Sequence, residues 1–412
     1  EMSEMKTQEL NYHVLLPKII NDNDGYTPSF DAFKICNGNN KETQNMLNFW
    51  DQYGFVVVNN CLNDKEIQAT MDEGYDYLEE SFTKFKRDDP ITYSCLNNQG
   101  TTSNLGLIGD FPVMTPQWIQ NRQNKIIYKI FSLILQETNI YVCQGRIGYM
   151  RPTKNIKLKN GDIMDKNEWK TVNGTNWLHL DYNPINNKCT TFAFRQSKYF
   201  KESNMDQYYK ERVQGSLSIT DNNEQNGGFF CVPGFHKILP KWRTIHYDDI
   251  KAKVSQNRYQ FNTNDEIIKH AVKITSRKGS LLIWNSKLPH SNFPNNSNIP
   301  RMVQFIKYAR FNDPSTLPTL WNKPNIKSWG NWNVTINLPY NFKLNNIGRK
   351  VFAIQHKDNK PKKKSQNNDN DNRKIIMINT NVLIHITTPS NIDNARKPKD
   401  TKHKTFFNSL FN

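Results

Sequence analysis

The sequence predicts an α+β fold, mainly β, in which helices come first and an antiparallel sandwich or jelly roll follows. Three observations carry this. Helical periodicity is confined to the residues before about 139. Beyond that point short apolar runs alternate with turn residues, the pattern of many short antiparallel strands. The 23 Phe, 17 Tyr and 9 Trp among 412 residues supply the large side chains of a sizeable core. Helices ahead of strands also predict that the helices pack on one side of the sheet structure.

Residues 1–43 are polar and irregular. A helix is expected at about 44–53. The β-branched run Phe55, Val56, Val57 and Val58, bounded by Gly54 and Asn59, reads as a short buried strand. Asn63 followed three positions later by Glu66 predicts a capping box. Beyond it Ile67, Met71, Tyr75 and Leu78 recur at helical spacing, giving an amphipathic helix over 64–82. Thr115 and Pro116 read as an N-cap and first helical residue. The stripe Trp118, Ile119, Ile126, Ile127, Ile130, Phe131, Ile134 and Leu135 then predicts one helix over 116–138.

Strand-like runs follow at 140–149, 177–182, 190–196, 213–220, 228–232, 271–275, 280–285 and 301–309. Residues 310–349, rich in Pro, Trp and Asn, read as an ordered extension wrapping the body. Residues 356–373 read as a disordered linker, and an apolar island from Ile375 to Ile386 could add an edge strand. The expected organisation is an N-terminal extension (1–43), a main domain (44–310), a C-terminal ordered extension (311–355) and a basic, partly disordered tail (356–412).

Composition narrows the function classes. The formal net charge is +17, and residues 350–412 hold 13 Lys/Arg against 5 Asp, a net of +8. Such a surplus suits a polyanion, including nucleic acid held weakly by the tail, and equally a plain solvated basic surface. No apolar run is long enough to span a bilayer, and residues 1–20 do not read as a secretory signal, so a cytoplasmic location is expected. Six scattered Cys without a CxxC pair argue against a zinc ribbon or disulfide scaffold and fit free thiols.

Three segments carry chemistry. The first is the H-x-D of His179 and Asp181 on a strand-like run. Residues two apart on a strand share a face, so an imidazole and a carboxylate can meet one cation. The second runs from Gly227 and Gly228 through Phe229, Phe230 and Cys231 to a Pro233–Gly234 turn. His236, just beyond, reads as a loop residue rather than a ligand. The third is a turn at Gly279–Ser280 into an apolar strand whose end delivers His290, with Arg301 eleven positions later. Two His and one Asp make the facial set of non-haem Fe(II) oxygenases, which leaves three positions for a chelating 2-oxo acid and dioxygen. The planar fork of Arg301 suits bidentate capture of a carboxylate.

On these residues the chain resembles the phytanoyl-CoA dioxygenase-like family of Fe(II)/2-oxoglutarate-dependent oxygenases. The matching stretches are 54–58, 177–184, 213–221, 226–237 and 279–284, with His290 and Arg301, covering about 49–310. The resemblance implies a double-stranded β-helix core with flanking helices. It implies iron held by His179, Asp181 and His290, and the 2-oxoglutarate C5 carboxylate held by Arg301. Asn292 stands where some relatives place a hydroxyl residue for that carboxylate. Gln214 and Trp177 are co-substrate neighbours by position. The implied reaction hydroxylates an unidentified organic substrate, small or lipid-like, with dioxygen as the second partner and succinate and CO2 as products. Asp181 favours hydroxylation over halogenation, because a halide-transferring relative leaves that iron position vacant. Two other readings stay open: an oxygenase acting on nucleic acid or protein, and a catalytically silent jelly-roll module. The segments 198–212 and beyond 310 fall outside the family pattern. A substrate pocket would be lined largely by 93–115 and 185–212.

Overall fold

A computed structural model describes residues 10–96, 103–108, 113, 115–143, 145–185, 213–253, 258–310, 338–339, 342–352, 374–378 and 382–387. Eight strands form its centre: β1 (Ile147–Met150), β2 (His179–Leu180), β3 (Val213–Ser218), β4 (Gly228–Cys231), β5 (Val272–Lys273), β6 (Leu281–Asn285), β7 (His290–Phe293) and β8 (Arg301–Phe305). They divide between two sheets, β1, β3, β6 and β8 in one and β2, β4, β5 and β7 in the other. One has the order β6-β3-β8-β1 and the other β2-β7-β4-β5, every pairing antiparallel. Successive strands cross from sheet to sheet except from β4 to β5, which are neighbours in the smaller sheet, and this is the winding of a double-stranded β-helix. The expected α+β, mainly β, jelly-roll architecture is the one observed.

The first sheet grows to seven strands. Phe55–Asn59 joins β6 antiparallel, Ser29–Asp31 joins Phe55–Asn59 parallel, and Leu107–Ile108 closes the other edge on β1. The polar stretch ahead of residue 44, which looked irregular, thus contributes an edge strand. Tyr259–Gln260 extends the second sheet beside β2.

Alternation along the strands separates two apolar cores. Val56, Val58, Leu217, Leu281, Ile283 and Met302 point to one side of the larger sheet and pack under the helices. These are α1 (Asn40–Tyr53), α2 (Asp64–Ser81), α3 (Pro116–Arg122) and α4 (Lys125–Leu135). Phe55, Val57, Leu282 and Trp284 point to the other side and lie with Phe229 between the sheets, while Leu180 and Phe230 face the outer side of the smaller sheet in the same cluster as Phe235 and Trp242. These four helices lie on one side of the larger sheet, as the sequence predicted, whereas the helix Phe235–Ile245 buries Phe235, Leu239 and Trp242 in the second core.

Helix limits follow their caps. The box at α2 forms as expected: Asn63 Oδ1 accepts from the Glu66 N–H, and Glu66 Oε2 accepts from the Asn63 N–H. The single helix expected over 116–138 is two. Asn124 Oδ1 accepts from the N–H groups of Ile126 and Ile127 and starts α4 afresh. The run 301–309 also divides. It breaks at Ile306 into β8 and Lys307–Arg310, the latter pairing with Ile140–Cys143 in a separate sheet. The segment after the Pro233–Gly234 turn is the helix α5 (Phe235–Ile245), so His236 sits in a helix, not a loop.

Past the roll, the helix α6 (Asn346–Val351) docks on α3. The Asn345 N–H donates to Gln123 Oε1, and Asn345 Nδ2 donates to the Gln123 carbonyl. The apolar island of the tail forms an antiparallel pair, Lys374–Ile378 with Val382–Thr387, in its own small sheet with Leu338–Pro339. It is not an edge of the roll. The expected strand at 190–196, the segment 198–212 and most of the basic tail lie outside the described residues. Among the described residues no helix is long and apolar enough to cross a membrane.

Candidate metal centre between the sheets

His179 opens β2, His290 opens β7, and the two are direct register partners across the smaller sheet. The pairing sets the two imidazoles side by side, with ring centroids 4.7 Å apart. Asp181 follows two positions after His179 on the same face. Its Oδ1 lies 3.3 Å from His179 Nε2 and its Oδ2 lies 3.8 Å from His290 Nε2. One ligand atom from each of the three lies within 4.8 Å of the others. The same-face argument for His179 and Asp181 is met, although regular strand geometry ends at Leu180.

The other ring nitrogens are engaged. His179 Nδ1–H donates to the Trp177 carbonyl at 2.9 Å, and His290 Nδ1–H donates to the Leu288 carbonyl at 2.9 Å. Each imidazole is thereby held in the tautomer whose Nε2 lone pair faces Asp181. Burial pushes His290 down to about 4, with His179 adding to the effect. Burial alone would raise the Asp181 carboxyl, but the neighbouring His179, His290 and Lys307 hold it well below the usual carboxylate range. At neutral pH His290 is therefore neutral and Asp181 ionised, the forms that bind a metal.

The surroundings are aromatic. Phe229 lies 5.8 Å from the His290 ring and 4.5 Å from Trp284 between centroids. The Trp177 ring lies 4.1 Å from that of His179, and the Arg258 guanidinium sits over Trp177 at 5.2 Å. Gln214, on β3, donates from Nε2 to Asp181 Oδ2 at 2.8 Å. It thus reaches the candidate ligand set through the carboxylate. Asn292 lies two past His290 on the same side of β7, with Phe229 opposite in register.

Arg301 begins β8, on the larger sheet. Met302 packs among the helices, and Gln304 hydrogen-bonds to α3 through Trp118 and Asn121. Alternation therefore turns Arg301 inward between the sheets. It is 2% exposed, and its Nε is buried without a hydrogen-bond partner among the described residues. Burial brings its guanidinium down to about 10, so it remains charged at neutral pH. Gly228, at φ +108°, lies against it. A Cβ there would stand 2.6 Å from Arg301 Nε and 2.7 Å from Asn222 Oδ1, itself a buried atom without a partner among the described residues. Asn222 and the steric role of Gly228 were not legible beforehand. The Gly227–Gly228 pair was the available signal, and it read only as a turn into a strand.

A family model for phytanoyl-CoA dioxygenase (PhyH) matches residues 159–303, the span that holds all three clustered side chains and Arg301. A Dictyostelium discoideum protein named after phytanoyl-CoA dioxygenase is 30% identical over 335 residues, covering 76% of this chain and 91% of that protein. The chain belongs to the phytanoyl-CoA dioxygenase family. Solved structures of similar winding are far more distant from this family member. The epimerase SnoN, in complex with Fe3+, alpha ketoglutarate and nogalamycin RO, is 12% identical over 69% of this chain and 91% of its own, with a TM-score of 0.43. HygX from Streptomyces hygroscopicus, with nickel and 2-oxoglutarate bound, is 14% identical over 65% and 87%, with a TM-score of 0.38. So remote a likeness adds nothing to the sheet order already described.

Proposed function

We propose that this phytanoyl-CoA dioxygenase family member is an Fe(II)/2-oxoglutarate-dependent dioxygenase. It hydroxylates an organic substrate and releases succinate and CO2. The observation that carries the reading is the convergence of two buried Nε2 atoms and one largely buried carboxylate, both Nδ1 atoms being already engaged. Two imidazoles and a carboxylate on one side of an ion leave the opposite positions open, which suits ferrous iron with a chelating co-substrate.

His179, Asp181 and His290 would hold the metal. Arg301 would take the distal carboxylate of 2-oxoglutarate, because a buried cation with an unpartnered Nε is suited to an incoming anion. The spacing along β4 supports this. Cys231 pairs with His290, whereas Gly228, three residues away, abuts Arg301. That is about 10 Å of strand, enough to separate the two ends of a short dicarboxylate. Asn292, on the same inner face, would donate its amide to the same carboxylate. Trp177 sets the His179 tautomer through its carbonyl and covers the ring with its indole.

The bound iron and co-substrate would supply the oxidising chemistry, sending one oxygen atom of O2 into succinate and the other into a substrate C–H bond. The chain's own residues hold and orient. Gln214 fixes Asp181 so that Oδ1 stays available to the metal. Phe229 and Trp284 exclude water beside His290.

Succinate formation after dioxygen is admitted to protein, Fe(II) and 2-oxoglutarate tests the reading. Wild-type protein should give succinate above background, increasing when the right compound is supplied from a panel of small molecules and lipids. His179→Ala and Asp181→Ala should each lower it at least about 100-fold, some 3 kcal/mol of barrier, with far-ultraviolet circular dichroism unchanged. An Asp181→Ala variant as active as wild type would sink the assignment.

A further inference from the structure

A second trio of metal-ligating side chains lies outside the space between the sheets. His13 sits on a short helix, Tyr12–Leu15, and Glu266 and His270 stand at the two ends of the 3-10 turn Glu266–His270. One ligand atom from each lies within 4.8 Å of the other two. The two imidazoles meet edge to face, with centroids 4.7 Å apart.

The backbones that carry them are anchored independently of any ion. Leu10, Tyr12 and Leu16 are buried in the same apolar cluster as Ile267, and the Tyr12 ring lies 5.6 Å from that of His270. Asp265 caps the turn by accepting from the Ile267 N–H, so this neighbouring carboxylate already has a role. The trio therefore rests on two segments already packed together. Its own polar demand is unmet: His270 Nε2 is buried and has no hydrogen-bond partner among the described residues. A cation shared by all three groups gives the carboxylate and one nitrogen of each ring a common partner.

We propose that His13, Glu266 and His270 form a second metal site, taking a borderline divalent ion such as Zn2+, that clips the N-terminal segment to the body. Two imidazoles with one carboxylate suit zinc. Calcium and magnesium prefer all-oxygen shells. His13 and Glu266 are exposed, so the ion enters from solvent without unfolding, and the fourth position goes to water. Small movements of these exposed side chains bring the ligand atoms to bonding distance.

The test is zinc content after equilibrium dialysis of the full chain at micromolar free Zn2+, since zinc also occupies iron-type sites. Wild type should bind two equivalents. His13→Ala should bind one and keep its Fe(II)-dependent succinate formation. Asp181→Ala should also bind one, and the double variant none. A His13→Ala protein that holds as much zinc as wild type overturns the clip. Loss of zinc from His13→Ala together with none from Asp181→Ala would leave the clip standing and count against the interior centre. A second readout covers the clip directly. Zinc should slow proteolysis within residues 10–20 about fivefold or more in wild type and Asp181→Ala, and leave the His13→Ala rate unchanged. An equal slowing in His13→Ala would overturn the proposal.

Discussion

His179 and His290 are prepared in the same way. Each donates its Nδ1–H to the carbonyl two residues earlier, of Trp177 and of Leu288. The side chains of the trio were legible in the sequence because H-x-D places two candidate ligands on one face by alternation alone. The carbonyls were not, because every residue carries one and only the folded backbone aims it. Gly228 shows the same limit. A glycine ahead of a strand reads as a turn, yet here its missing Cβ leaves room for the Arg301 guanidinium. Gly228→Ala should therefore impair the co-substrate more than the metal. The new methyl would meet Arg301 Nε, and the backbone at φ +108° disfavours any side chain. The expected outcome is a rise of at least about tenfold in the 2-oxoglutarate KM, equal to some 1.4 kcal/mol. Fe(II) affinity should change much less. An unchanged KM would mean that Gly228 does not shape the carboxylate pocket.

At the scale of elements, caps decided what periodicity left ambiguous. The box at Asn63 and Glu66 was legible because both partners lie within four residues and precede a clean stripe. The break at Asn124 was not, because the apolar stripe continues across it: Trp118 and Ile119 before it, and Ile127, Ile130 and Phe131 after it, all join one core. Two short helices in tandem can bury the same face as one long helix, so apolar spacing alone does not reveal the joint. The cap itself has measurable weight. Asn124 Oδ1 satisfies the Ile126 N–H at 2.8 Å and contacts the Ile127 N–H at 3.4 Å. Asn124→Ala should cost about 1 kcal/mol of unfolding free energy, read from the urea midpoint at unchanged slope. Succinate formation below the transition should be retained, since Asn124 touches neither ligands nor Arg301. A loss well above 2 kcal/mol would show that the residue does more than start a helix.

At the scale of the whole molecule, fold class was legible and strand order was not. Alternation and turn residues mark many short antiparallel strands, but pairing between residues far apart in sequence leaves little local trace. That is why the run 301–309 read as one strand, although its halves enter different sheets. The order has a consequence. His179 and His290 belong to the smaller sheet and Arg301 to the larger. In the proposed site, a ligand that touches iron and Arg301 together would therefore tie the two sheets to each other, whereas iron alone would be held chiefly on one. Ligands that bind only the folded state raise stability by mass action, by about 2.7 kcal/mol at a hundredfold excess over Kd. Without dioxygen, Fe(II) should raise the Tm of wild type, and 2-oxoglutarate should add a further few degrees. Arg301→Gln should keep the iron increment and lose most of the co-substrate increment. His290→Ala should lose both, because the chelate has no metal to complete it. If 2-oxoglutarate raised the Tm of Arg301→Gln as much as that of wild type, the carboxylate would be held elsewhere and Arg301 would be only a buried structural cation.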